Sequence, residues 1–117
     1  MGFAMHEMAL TESIVEIAVE AAGREGARRV RRIIVDIGAL SSVEPEALSF
    51  CFSAVSAGTI AAGATLEIVH VPGAGWCTDC AKTVPLAERY GPCPECGGVH
   101  VRMTGGDAMR VKEIEVD

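Results

Sequence analysis

Four cysteines stand in two matched pairs, Cys77-x-x-Cys80 and Cys93-x-x-Cys96, separated by a 12-residue spacer. Two residues between the members of a pair let both sulfurs turn toward one point. Two such knuckles then complete a tetrahedron of thiolates around Zn²⁺, with Zn–S distances of about 2.3 Å. Thr78-Asp79 fills the first knuckle and Pro94-Glu95 the second, with Gly97-Gly98 directly after, all written for turning. The spacer suits a short ribbon hairpin that folds one knuckle over the other. Two disulfides in a secreted fragment would use the same cysteines, but matched C-x-x-C spacing without a signal-peptide pattern favours metal. A redox dithiol would need only one pair. Because thiolate fills all four positions, the site is closed and the metal structural. It clips together residues 73–103, a stretch with few large apolar side chains and a size at which a metal usually substitutes for a core.

A second pattern lies near the start. Met5-His6-Glu7 sets an imidazole and a carboxylate beside consecutive backbone nitrogens, just before a helix begins. Imidazole nitrogen, carboxylate and deprotonated backbone nitrogen form the tetragonal arrangement that suits Ni²⁺ or Cu²⁺. Taken alone the tripeptide is weak, since a His-Glu pair at a chain start is usually a solvated terminus. The rest of the inventory is thin. His70 reads as a strand histidine at a sheet surface. His100, four residues past Cys96, reads as a solvated ribbon histidine, with replacement of a zinc thiolate as its other reading. Cys51 sits at helical spacing among Leu48, Phe52 and Val55 as a small buried hydrophobe. There is no G-x-S-x-G, H-E-x-x-H or phosphate-cradling loop, and nothing argues for an enzyme.

The elements that must position these groups follow from periodicity. From about Glu7 to Glu25 the pattern is helical, with Leu10, Ile14, Ile17, Ala18 and Ala21 recurring and an acidic row of Glu12, Glu16 and Glu20 outside. Gly26 stops it. Val30 to Ile37 is a strand with Ile33, Val35 and Ile37 on one face and Arg32 and Asp36 on the other. Pro45 suits the first turn of a second helix, lined inside by Leu48, Cys51, Phe52 and Val55 and ended by Gly58. Strands follow over about Thr65 to Val71 and Met109 to Val116, the latter slipping its alternation near Lys112-Glu113. Strands on both sides of the ribbon make it an insertion. The expected fold is therefore α+β: a small mixed sheet packed with two helices (residues 1–72 and 104–117) carrying a zinc ribbon (73–103).

Composition excludes several classes. The chain has 117 residues, is half hydrophobic and only 4% aromatic, and carries a formal net charge of −6. Four thiolates and one Zn²⁺ take that to about −8. It lacks the positive stripe and stacking platforms of nucleic-acid modules. No apolar run approaches the roughly 18 residues of a membrane-spanning helix. Reduced cysteines without an export signal point to the cytoplasm.

Several stretches occur together, in this order, in one family. They are Met5-His6-Glu7-Met8-Ala9-Leu10 leading a helix, Asp36-Ile37-Gly38 ending a strand, Ser41-Ser42-Val43-Glu44-Pro45 before a second helix, and the double C-x-x-C ribbon. Over about Met5 to Asp117 the chain resembles HypA/HybF, the nickel metallochaperones of [NiFe]-hydrogenase maturation. The resemblance implies a nickel-binding α+β domain carrying a zinc module. It implies Ni²⁺ at Met5, His6 and Glu7, with Glu44 as an auxiliary carboxylate, and zinc at Cys77, Cys80, Cys93 and Cys96. The partners it implies are a HypB-type GTPase and the hydrogenase large subunit, with urease maturation proteins for some members. Two departures stand out. Met1-Gly2-Phe3-Ala4 precedes Met5, so Met5 offers an amide where relatives offer a free amine; four extended residues could carry the amine roughly 13–14 Å away. And no histidine directly follows either C-x-x-C. A zinc-ribbon adaptor without nickel function is the rival reading; it predicts salt-sensitive nucleic-acid binding, against which the acidic charge counts. A rubredoxin-like iron carrier would be smaller and rich in aromatics.

Overall fold

The computed structural model describes the backbone from Gly2 to Asp117 and the side chains from His6 onward. Helix α1 runs Gly2–Arg24, strand β1 Val30–Gly38, helix α2 Pro45–Ser56, then β2 Thr65–Val71, β3 Gly73–Cys77, β4 Lys82–Leu86, β5 Val101–Gly105 and β6 Met109–Val116. The fold is α+β, with two three-stranded sheets ordered β2-β1-β6 and β4-β3-β5. Among the described residues no helix is long and apolar enough to cross a membrane.

The chain forms two compact units: residues 1–35, 43–69 and 110–117, and residues 36–42 and 70–109. In the first, α1 packs against α2. Its core is Ile14, Val15, Ala18 and Ala22 from α1, Val30, Ile33 and Val35 from β1, and Leu48, Cys51 and Phe52 from α2. The alternation expected of β1 is present: Ile33, Val35 and Ile37 are buried, while Arg32 reaches outward to Glu67 at 2.7 Å and Glu115 at 3.2 Å. Those partners sit on β2 and β6, so one guanidinium ties all three strands across the wet face.

Two expectations for α1 fail. The helix starts at Gly2, so His6 and Glu7 lie within it rather than before it. Its buried stripe is Glu7, Thr11, Ile14, Val15, Ala18 and Ala22, whereas Ile17 is 51% exposed. The stripe keeps helical spacing but opens with two polar residues, of which Thr11 is satisfied locally. Thr11 Oγ1 donates to the Glu7 carbonyl at 2.6 Å, which lets the hydroxyl be buried without an unpaired donor.

In the second unit, backbone approaches backbone where β1 ends. A Cβ on Gly38 would overlap the Gly106 carbonyl, and one on Gly106, which sits at φ +80°, would lie 2.5 Å from the Pro72 carbonyl oxygen. Gly38 and Leu40 are both tied to the 106–108 segment, through Gly38 N–H to Ala108 O at 2.9 Å and Leu40 N–H to Gly106 O at 2.7 Å. No flexible side chain can give way there. Gly38→Ala is expected to destabilise this unit by about 3 kcal/mol or more, measurable as a lowered denaturation midpoint; an unchanged midpoint would mean the backbone relaxes freely.

Candidate metal centres

The β3–β4 hairpin carries the first knuckle at its turn, with Cys77 opposite Lys82 in the register. Ala81 closes that turn at φ 52°, a left-handed conformation. Residues 87–92 lead to the second knuckle, and β5 then returns to pair with β3, Cys77 against Val101. The spacer thus holds β4 and a connecting loop, and both outer strands flank the strand that ends in Cys77.

The four sulfurs converge. Cys77 Sγ lies 3.7 Å from Cys96 Sγ, and Cys80 Sγ 3.9 Å from Cys93 Sγ. All four ligand atoms fall within 4.8 Å of one another. A tetrahedron with Zn–S of about 2.3 Å has edges of about 3.8 Å, so the quartet already has the dimensions of a zinc thiolate site. Backbone N–H groups point at the sulfurs as they do toward thiolates: Cys80 N to Cys77 Sγ, Glu95 N to Cys93 Sγ and Gly98 N to Cys96 Sγ, each 3.4 Å. Those donors favour negative sulfur. The backbone N–H groups of Cys96 and Glu95 pull the Cys93 thiol down to about 7. Cys80, crowded by Cys96 and Cys77, is pushed up to about 12. Four thiolates this close ionise together only around a cation, and a divalent metal supplies that charge.

Two polar pairs clamp the knuckles from outside. Lys82 Nζ meets Glu95 Oε1 at 2.6 Å, and His100 Nδ1 meets Asp79 Oδ2 at 3.1 Å. Each joins one knuckle to residues of the other or just beyond it. His100 therefore faces a knuckle carboxylate while remaining 70% exposed.

The second candidate centre is assembled in the first unit. His6 is half-exposed and its Nδ1 lies 3.6 Å from Glu7 Oε2; Glu7 itself is fully buried. Glu7 Oε2 accepts the backbone N–H of Glu44 at 2.9 Å, and Glu7 Oε1 is enclosed without a partner. The Glu44 N–H, assisted by the neighbouring His6, holds the Glu7 carboxyl below its ordinary value of 4.5. Acidification from about that value downward is therefore expected to remove stability that is fully present above it, as the folded carboxylate takes up its proton. Of the predicted nickel residues, the fold brings together the His6 ring, the Glu7 carboxylate and the backbone of Glu44. It does not bring the Glu44 carboxylate to them: among the described residues, the cysteine quartet is the one group of three or more metal-ligating side chains within 4.8 Å. The Met5 side chain lies outside the described residues. Cys51 is buried, and His70 exposed on β2, as expected.

Fold and site define a small α+β protein in which a closed four-thiolate site suited to zinc scaffolds a three-stranded ribbon. A family model described as hydrogenase/urease nickel incorporation, metallochaperone, hypA matches residues 5–116, and the chain belongs to that family. It is 58% identical over 113 residues to hydrogenase maturation factor HypA of Dechloromonas aromatica, and 60% identical to that of Rhodopseudomonas palustris strain BisB5. Each match covers 97% of this chain and all of the relative. The solution structure of the nickel metallochaperone HypA from Helicobacter pylori has a similar fold, with a TM-score of 0.66 and 26% identity over 94% of this chain and 96% of that one. A second HypA solution structure matches at a TM-score of 0.72 and 28% identity over 96% of both chains. By family, then, the protein is a nickel-incorporation metallochaperone of hydrogenase maturation.

Proposed function

We propose that the chain binds Ni(II) at the Met5-His6-Glu7 segment and hands it on for maturation of [NiFe]-hydrogenase, while the zinc ribbon serves as scaffold. The observation that carries this reading is the exposed His6 ring beside a buried, ionised Glu7 carboxylate. Imidazole plus carboxylate is a donor set nickel accepts. A site with few protein ligands at a helix start gives up its ion by exchanging one ligand at a time, as cargo delivery requires. Residues 1–72 and 104–117 take the nickel role and 73–103 the zinc role, with Cys77, Cys80, Cys93 and Cys96 as zinc ligands. Glu44 joins as an auxiliary nickel ligand only if its side chain swings toward His6. A HypB-type GTPase and the hydrogenase large subunit are the partners, with urease maturation proteins as further recipients, and the cytoplasm is the compartment.

The test is a calorimetric Ni²⁺ titration of zinc-loaded protein, on the full chain and on a form beginning at Met5. About one equivalent bound at micromolar strength by both forms supports the reading. Binding by the shorter form alone would show that the α-amine at Met5 is essential. No binding by either form returns the chain to a zinc-ribbon adaptor.

A further inference from the structure

The first turn of α2 is capped from another helix. In a capping box, a Glu or Gln at the third helical position reaches back to the N–H of the N-cap residue, and the N-cap side chain serves the third residue in return. Both local halves are missing here. Glu44, the N-cap, makes no side-chain cap, and the third helical position is Ala47. The Glu44 N–H goes instead to Glu7 Oε2 on α1, 37 residues away in sequence. Glu44 then passes helical order on through its own carbonyl, which accepts from Leu48 N–H at 3.0 Å.

The oxygen that performs this capping is also the one that faces His6. Nδ1 lies 3.6 Å from Oε2, whereas Oε1 is enclosed with no partner. A cation reaching Glu7 from the exposed His6 ring therefore engages the oxygen that holds α2. Charge drawn from Oε2 weakens the hydrogen bond that it accepts. We infer that Glu7 is a positioning residue as much as a nickel ligand: it caps α2 across the helix pair, and metal uptake at His6 loosens the first turn of α2. The second half of this statement rests on the nickel reading above; the first half does not. The coupling is reciprocal, so a tighter hold on α2 also weakens the metal site.

Hydrogen–deuterium exchange over residues 43–48, followed by mass spectrometry on zinc-loaded full-length protein, tests both halves. Without nickel, Glu7→Ala is expected to speed exchange in that segment roughly tenfold, the scale of a lost helix cap. Glu7→Gln, which keeps an acceptor oxygen and the volume, should retain most of the protection. Adding Ala47→Glu to Glu7→Ala gives the Glu44 N–H a local acceptor, one half of a capping box, and should restore it. One equivalent of NiCl₂ should accelerate exchange severalfold in wild type and leave the Glu7→Ala/Ala47→Glu form unchanged. Unaltered protection in metal-free Glu7→Ala overturns the capping role. Nickel that binds through His6 yet leaves residues 43–48 unchanged overturns the coupling. If nickel does not bind at all, the proposed function fails together with the coupling, and the metal-free comparison still decides the capping.

Discussion

Stripping the metal from the cysteine quartet, or replacing Cys77 with Ser, is expected to unfold the ribbon strands β3, β4 and β5 while α1 and α2 stay helical. The ribbon has little else to hold it. Its buried cluster consists of Cys77, Val84 and Cys93, with Cys80 and Val101 packed against them, so the metal ligands are most of its own core. Three short strands of five residues each form a marginal sheet in water without a hydrophobic layer behind them. Structural zinc in modules of this size contributes an apparent ~10–16 kcal/mol at neutral pH, far more than the outer Lys82–Glu95 and His100–Asp79 pairs, which are exposed and screened. Position should grade the effect. Cys77 and Cys93 are buried, so Ser there leaves an unsatisfied hydroxyl as well as a lost ligand; Cys96 is exposed and its replacement should be the mildest of the set. The check combines zinc quantification, amide dispersion over residues 73–105 and the far-ultraviolet helical signal. If ribbon amides keep their dispersion after chelation, the metal is not the scaffold.

Much of this was legible because it is local. β2 and β6 span the ranges their alternation predicts, and β1 and α2 fall within a residue or two of theirs. Two C-x-x-C pairs specify a tetrahedron whatever surrounds them, and the sulfurs meet accordingly. What escaped the sequence is nonlocal or polar. An apolar template over α1 selects Ile17, because nothing in the string says that Glu7 and Thr11 are buried; that depends on Glu44 arriving from 37 residues away to pair with the carboxylate. The start of α1 lies earlier than its apolar periodicity, because the helix extends through Met5-His6-Glu7 to Gly2, where no apolar stripe marks it. The ribbon was expected as one hairpin, whereas β5 pairs with β3 to make a separate three-stranded sheet. The Asp79–His100 contact is likewise nonlocal, joining residues 21 apart in sequence.

His6→Ala is expected to weaken nickel binding at least about 100-fold, equivalent to roughly 2.8 kcal/mol. The ring is the only exposed nitrogen donor among the described side chains of this centre, and its loss leaves carboxylate oxygen, a poorer match for nickel than imidazole. The backbone nitrogens next to the ring are already engaged. With α1 starting at Gly2, the N–H groups of His6 and Glu7 fall past the helix's free donors and bond to carbonyls four residues back. A metal recruits them only by opening the first turn and deprotonating the amides. The two modes of binding are therefore separable in one experiment on wild type. Square-planar, diamagnetic nickel with a partial loss of helical signal means that backbone nitrogens are used and the turn opens. Six-coordinate, paramagnetic nickel with the helix intact means that only the His6 ring, the carboxylates and water hold the ion. Either result requires His6; binding by His6→Ala at wild-type strength would overturn this centre, leaving the cysteine quartet as the one metal site among the described residues. The helical start makes the second mode the expected one at low nickel, because it leaves the backbone hydrogen bonds of α1 intact. In that mode the ion draws on Glu7 Oε2, the oxygen that the Glu44 N–H also uses, so the loss of protection at α2 comes with α1 still helical.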